Sequence, residues 1–442
     1  MPRNRIVVFA SMAVAVAGAS FLIPAALSLR DPGSPARLAA PGPATAAAPT
    51  EYQQALAALD AKIEAAAHHA ARYPRDWSHL ETLASLQRTR GTLTGDFEDY
   101  AQAQATLDRA FKVAPDGAGP LLERAQLSYT LHRLPAVARD LATAERSALL
   151  QAGERSAITA LTADLAFHTG HYADALAGFH KLEQQDRHAG SSFRLALYAW
   201  KTGDFAEAER RLDEGADLVG SPRGRPRAWF ELQRGLTHLD RGQLDLALAH
   251  YYKAEQMFGG WWLVDEHIAE ALARKGDTVE AERRYRDLVA RTGNPEFMDA
   301  LADLIVDRAP EEAAALVARA TAHYDHWLTV LPEASYGHAL HHFLKHGTSA
   351  QALTLAQANF ELRPGGEAEV LLAQALLRAG RCDEARAHTD AVLATPYRTA
   401  DTHATAAAAQ ARCGDPQRAA TQRGLANAMR PDAMAEVAYL TP

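Results

Sequence analysis

An all-α fold of about ten helix–turn–helix units is what this sequence predicts, on three observations. First, residues 195–212, LALYAWKTGDFAEAERRL, set two short amphipathic runs on either side of Gly203-Asp204-Phe205. Leu195, Ala196 and Ala199 share a helical face before the turn; Phe205, Ala208 and Leu212 share one after it. Neither helix can bury its stripe alone. Second, the turn glycine returns at Gly170, Gly203, Gly242, Gly276, Gly347, Gly380 and Gly414, in steps of 33, 39, 34, 71, 33 and 34 residues. The longest step is two units, with Ala309 where a glycine is expected. Third, an alanine follows each glycine by five residues: Ala175, Ala208, Ala247, Ala281, Ala352, Ala385 and Ala419. Only a small side chain lets two helices cross closely, so a fixed alanine marks a crossing point.

An aromatic residue often stands four positions beyond that alanine (Phe179, Tyr251, Tyr285), and Pro364 and Pro431 block helix continuation at the ends of their units. Small, aromatic and proline positions at these offsets, in a period near 34, resemble the tetratricopeptide repeat. The resemblance spans the array at about 73–432 and implies a right-handed α-α superhelical solenoid with a concave groove. Within that family it is similar to exported bacterial members.

In chain order, Arg3 and Arg5 precede 24 uncharged residues, 6–29. Residues 1–30 read as a signal peptide cleaved near Ala17-Gly18-Ala19, or as an uncleaved inner-membrane anchor. Either outcome places the rest of the chain in the periplasm, tethered or free. Residues 31–50, rich in Pro and Ala, read as a linker, and 51–72 as an amphipathic capping helix. The first unit is expected to hold its helices apart with an insert, RTRGTLTGDFEDY, and the second has His132-Arg133-Leu134 in place of a turn glycine. The loop SPRGRPR, 221–227, accounts for the 39-residue step. A long seventh unit, three further units and a tail at 433–442 complete the chain.

The net charge of −8 argues against a nucleic-acid partner. No phosphate-cradling glycine loop, HExxH or GxSxG is present, so a non-enzymatic protein without a cofactor is expected. The resemblance implies that the second, fifth, ninth, twelfth and thirteenth positions of each unit face the groove and bind a protein or peptide. Counted back from the turn glycines, these are Phe167, Phe193, Trp200, Trp229, Leu232 and Leu236 in one half. Glu266, Glu270, Glu296, Asp299, Asp303, Asp307, His341 and Lys345 follow. Asp299, Asp303 and Asp307 share a helical face at i, i+4 and i+8, so a basic partner is expected. The paired lysine and asparagine of family members that clamp acidic chaperone tails are missing. An alternative is a metal-handling protein using the cluster from His323 to His346, with His338, His341, His342 and His346 as candidate ligands, since i, i+4 histidines can share an ion. Cys382 and Cys413 lie at one edge of adjacent units, as a disulfide or as two packed thiols.

Overall fold

The structure is a computed structural model that describes residues 49–147 and 150–440. The export segment expected over 1–30, and the linker up to residue 48, lie outside the described residues. Among the described residues are 22 α-helices, one 3-10 turn and no strand, and no helix is long and apolar enough to cross a membrane. Helix α1 (Glu51–Arg72) precedes ten helical hairpins. They are α2–α3 (Trp77–Thr94, Phe97–Val113), α4–α5 (Leu121–Thr130, Leu134–Ala144) and α6–α7 (Ala152–His168, Tyr172–Gln185). Next come α8–α9 (Ala189–Lys201, Phe205–Leu218), α10–α11 (Arg225–Leu239, Leu244–Met257) and α12–α13 (Trp262–Lys275, Thr278–Thr292). The later units are α14–α15 (Pro295–Ile305, Pro310–Val330), α16–α17 (Pro332–His346, Ser349–Leu362), α18–α19 (Gly366–Arg378, Cys382–Leu393) and α20–α21 (Ala400–Arg412, Pro416–Met429). Short α22 (Ala433–Glu436) and the 3-10 turn Ala438–Leu440 follow. Each hairpin packs within itself and on the next, which makes the molecule an α-α solenoid.

The turns follow from their residues. Gly203 takes φ 85°, and the Asp204 carboxylate accepts from the Glu207 amide at 3.1 Å, satisfying one of the donors that open α9. The seven alanines five residues beyond the turn glycines are all buried, and Phe179, Tyr251 and Tyr285 fill the wedges behind them. Facing Tyr251 across its hairpin is Gly235, in the middle of α10, where a side chain would collide with the ring. The same pairing corrects the reading of the first unit. RTRGTLT is not an insert but the last part of α2, with Gly91 pressed under the Tyr100 ring and Gly95 at φ 73° as the turn. Gly95-Asp96-Phe97 thus repeats the chemistry of Gly203-Asp204-Phe205. In the second unit His132 itself adopts the left-handed turn, at φ 59°.

The coil closes on itself. Trp262 Nε1 donates to the Leu93 carbonyl at 2.9 Å, and Phe97 stacks on Trp327 with ring centroids 4.2 Å apart. Arg133 meets Glu333 at 3.1 Å, the Gly366 amide donates to the Tyr172 hydroxyl at 2.8 Å, and the Arg398 amide donates to the Lys201 carbonyl at 2.8 Å. Pro431 abuts Gly242. Residues some 200 positions apart therefore touch, one superhelical turn against the next.

Candidate functional site

Closure leaves a cavity of about 220 Å³ along the inner face of the later units. Helices α12, α14, α16, α18 and α20 line it, with α22 and the 3-10 turn folded across them, so Glu436, Val437 and Tyr439 belong to its wall. Eight carboxylates line it (Asp240, Glu266, Glu296, Asp299, Asp303, Glu367, Asp401 and Glu436) against four Lys and Arg (Lys201, Arg274, Lys345 and Arg430). Phe297, Tyr324, Tyr397 and Tyr439 supply the aromatic surface.

The charges are organised in pairs between neighbouring inner helices. On α14 and α16, His338 Nδ1 lies 2.5 Å from Glu296, His342 Nδ1 lies 2.9 Å from each Asp299 oxygen, and Lys345 lies 2.5 Å from Asp303. Arg274 reaches Asp432 at 3.1 Å and Arg430 reaches Asp401 at 2.6 Å, which ties the C-terminal segment across the cavity. Burial and the neighbouring Asp401 push the Glu436 carboxyl well above its ordinary range. Burial would raise Glu367 too, but Arg363 and Lys201 outweigh it and hold that carboxyl down, charged at neutral pH. Burial pushes His341 down to about 4, so its ring is neutral, and its Nε2 has no hydrogen-bond partner; nor does His338 Nε2. Behind the wall, burial would lower His267, yet Glu266 and Glu270 hold it up at about 10.

The residues expected to line a groove divide sharply. Phe167, Phe193, Trp200, Trp229, Leu232 and Leu236 are buried. Phe193 packs edge-on to Trp229, and Trp200 donates to Asp240 at 2.8 Å. They share their cores with the neighbouring units, and α1 and α2 contribute Leu59 and Leu93 to the larger one. An apolar concave face in water covers itself, and the closing coil supplies the cover, so this half offers no open groove. Glu266, Glu296, Asp299, Asp303, His341 and Lys345 do line the cavity, whereas Glu270 is sealed beside His267. Asp307 does not continue the acidic stripe: α14 ends at Ile305, leaving Asp307 exposed in the turn. The histidine cluster also divides. His323 and His326 are exposed on α15, and His326 meets Glu98 at 3.1 Å. His338, His341, His342 and His346 line the cavity from α16, each in different company, and the group near enough to share one ion is Asp299, His342 and His346. Cys382 and Cys413 are free thiols with sulfurs within 4.8 Å of each other.

The positions missed were legible in the same register. Counting back from Gly380 gives Glu367, Val370 and Gln374, and from Gly414 gives Asp401, all of which line the cavity. Nothing in the register signals Glu436 or Tyr439, which arrive from what reads as a tail.

No family model matches the sequence, and no curated protein does. Among solved structures, the chain is similar to the human IFIT1 dimer with m7Gppp-AAAA, at 13% identity over 78% of this chain and 89% of that one, with a TM-score of 0.42. It is similar to yeast Tom70 at 15% identity, over 83% and 89% of the two chains, with a TM-score of 0.40. A tetratricopeptide repeat protein from Parabacteroides merdae is 15% identical over 57% of this chain and 99% of that one, with a TM-score of 0.35. With ten stacked hairpins, turn glycines and buried crossing alanines, this chain is an all-α solenoid whose repeat resembles the tetratricopeptide repeat.

Proposed function

We propose that this protein is a non-enzymatic interaction scaffold that captures a protein or peptide partner by its lysine or arginine side chains, seated in the acidic cavity. The observation that carries the reading is the excess of carboxylates over Lys and Arg in a cavity built from the inner faces of successive units. A cavity of about 220 Å³ has room for a side chain or a short terminal segment rather than a folded domain. Export to the periplasm, anchored or free, is part of the reading and rests on residues 1–30.

The test is a fluorescence-anisotropy titration of the full chain, in EDTA, with peptides that differ only in Lys and Arg content. Basic peptides are expected to bind best, and Glu367→Gln with Asp303→Asn to weaken them about tenfold. High salt should slow association, because screened charges act mostly on the encounter. Basic peptides that bind no better than neutral ones would overturn the reading.

A further inference from the structure

We propose that Asp299, His342 and His346 form a divalent transition-metal site on the cavity wall, open on one side. Two of the ligands stand at i, i+4 on α16, so their rings leave the same face of the helix, and the third comes from α14 beside it. One ligand atom from each lies within 4.8 Å of the others. Ligand atoms about 2.1 Å from a metal stand roughly 3.0–3.4 Å apart. His342 Nδ1 and the Asp299 oxygens, at 2.9 Å, are nearly at that spacing. His346 is the last residue of its helix and its side chain is exposed, so a rotation of that side chain can close the remaining gap.

The hydrogen bonds around His342 separate this site from the other histidine–carboxylate pairs. The Thr321 hydroxyl donates its one hydrogen to the Val317 carbonyl at 2.9 Å. The same hydroxyl lies 2.8 Å from His342 Nε2, where it can accept the ring's hydrogen and leave Nδ1 free for an ion. In that tautomer the Nδ1 lone pair and the Asp299 carboxylate converge on the space an ion would fill. One turn earlier on the same helix, His338 has no partner at Nε2, so the neutral ring can keep its hydrogen on Nδ1 and donate it to Glu296. That pair needs no cation. An outer hydrogen bond that fixes the tautomer and frees the other nitrogen is also how metal-binding histidines are held.

The neighbours are compatible with a dication. Tyr324 donates to Asp299 at 3.3 Å, and the Lys345 ammonium is turned to Asp303. Two imidazoles and one carboxylate suit Zn²⁺, Ni²⁺ or Cu²⁺ rather than the oxygen-seeking Mg²⁺ or Ca²⁺. Three protein ligands leave a coordination position for water or a partner's donor group.

The experiment uses the full chain, stripped with EDTA and dialysed, titrated with Zn²⁺ by calorimetry and with Co²⁺ by visible absorption. One equivalent is expected to bind with a Kd of about 1 µM or tighter, and Co²⁺ should show d–d bands of low coordination number. His346→Ala, at an exposed helix end, should weaken Zn²⁺ binding at least tenfold, and Asp299→Asn should do the same. Cys382→Ser with Cys413→Ser should leave it unchanged, which separates this site from the thiol pair. Absence of saturable binding would overturn the proposal, as would binding that His346→Ala leaves intact. Because the peptide titration is run in EDTA, either idea can fail without the other.

Discussion

An added Cβ at Gly235 would stand 2.1 Å from the Tyr251 ring, so the glycine is there for space and not for backbone freedom. Gly235→Ala should cost about 1–3 kcal/mol, since the buried ring cannot retreat without unpacking its hairpin. Gly424, inside α21, is the opposite case: nothing lies within 4 Å of its added Cβ. Gly424→Ala should stabilise the chain by about 0.4–1 kcal/mol, chiefly by restricting the unfolded state. Thermal denaturation of the two variants checks both signs. His267 gives a residue-scale pH dependence. Its pKa is raised in the fold, to about 10, by Glu266 and Glu270. The folded state therefore binds this proton more tightly than the unfolded state. Its contribution is fully present below about pH 6.5, the unfolded histidine value, and is lost as pH rises through the folded value. Urea denaturation between pH 6.5 and 10 should show this fall, and His267→Gln should flatten it. An unchanged slope in the variant would assign the loss to other groups.

At the scale of the helices, the hairpins were legible because their information is local. A turn glycine, an alanine five residues on and an aromatic after it specify one unit whatever the rest of the chain does. From sequence the first unit reads as carrying an insert, because Gly91 interrupts an apolar pattern that the Tyr100 ring completes from the neighbouring helix. The candidate site was half legible. The register located the acidic wall, since Glu266, Glu296, Asp299 and Asp303 reach the cavity. It could not reveal that Trp200, Trp229 and their neighbours are covered, because the cover comes from residues far away in sequence. The two cysteines test element packing directly. Cys382 opens α19, Cys413 is the C-cap that follows α20, and burial together with the adjacent Cys382 thiol raises the Cys413 pKa. At neutral pH Cys413 should thus alkylate slowly. Incubation with oxidised glutathione should join the two sulfurs within one chain, taking the thiol count of the unfolded product from two to zero. Two thiols surviving that treatment would show that the helix ends hold the sulfurs apart.

An array whose units touch only their neighbours has a stability close to a sum of unit and interface terms, and its ends fray first. This molecule departs from that rule because successive superhelical turns meet. The Phe97–Trp327 stack and the Trp262–Leu93 hydrogen bond fasten α2 and α3 to units well over a hundred residues later. Closing such long loops costs entropy that grows only slowly with length, so a few buried contacts can offset it. The first units should accordingly be as protected as the middle ones, and Trp327 is the side chain on which that protection turns. Trp327→Ala removes the stack on Phe97 and the edge contact with Tyr324, at a cost of about 3 kcal/mol. Hydrogen exchange followed by mass spectrometry should then show faster exchange in α2 and α3 as well as around the substitution. Helices α20 and α21, held through Arg274, Arg430 and Pro431, should keep wild-type rates. Faster exchange confined to α15 and α16 would mean that the turns lie against each other without sharing their stability.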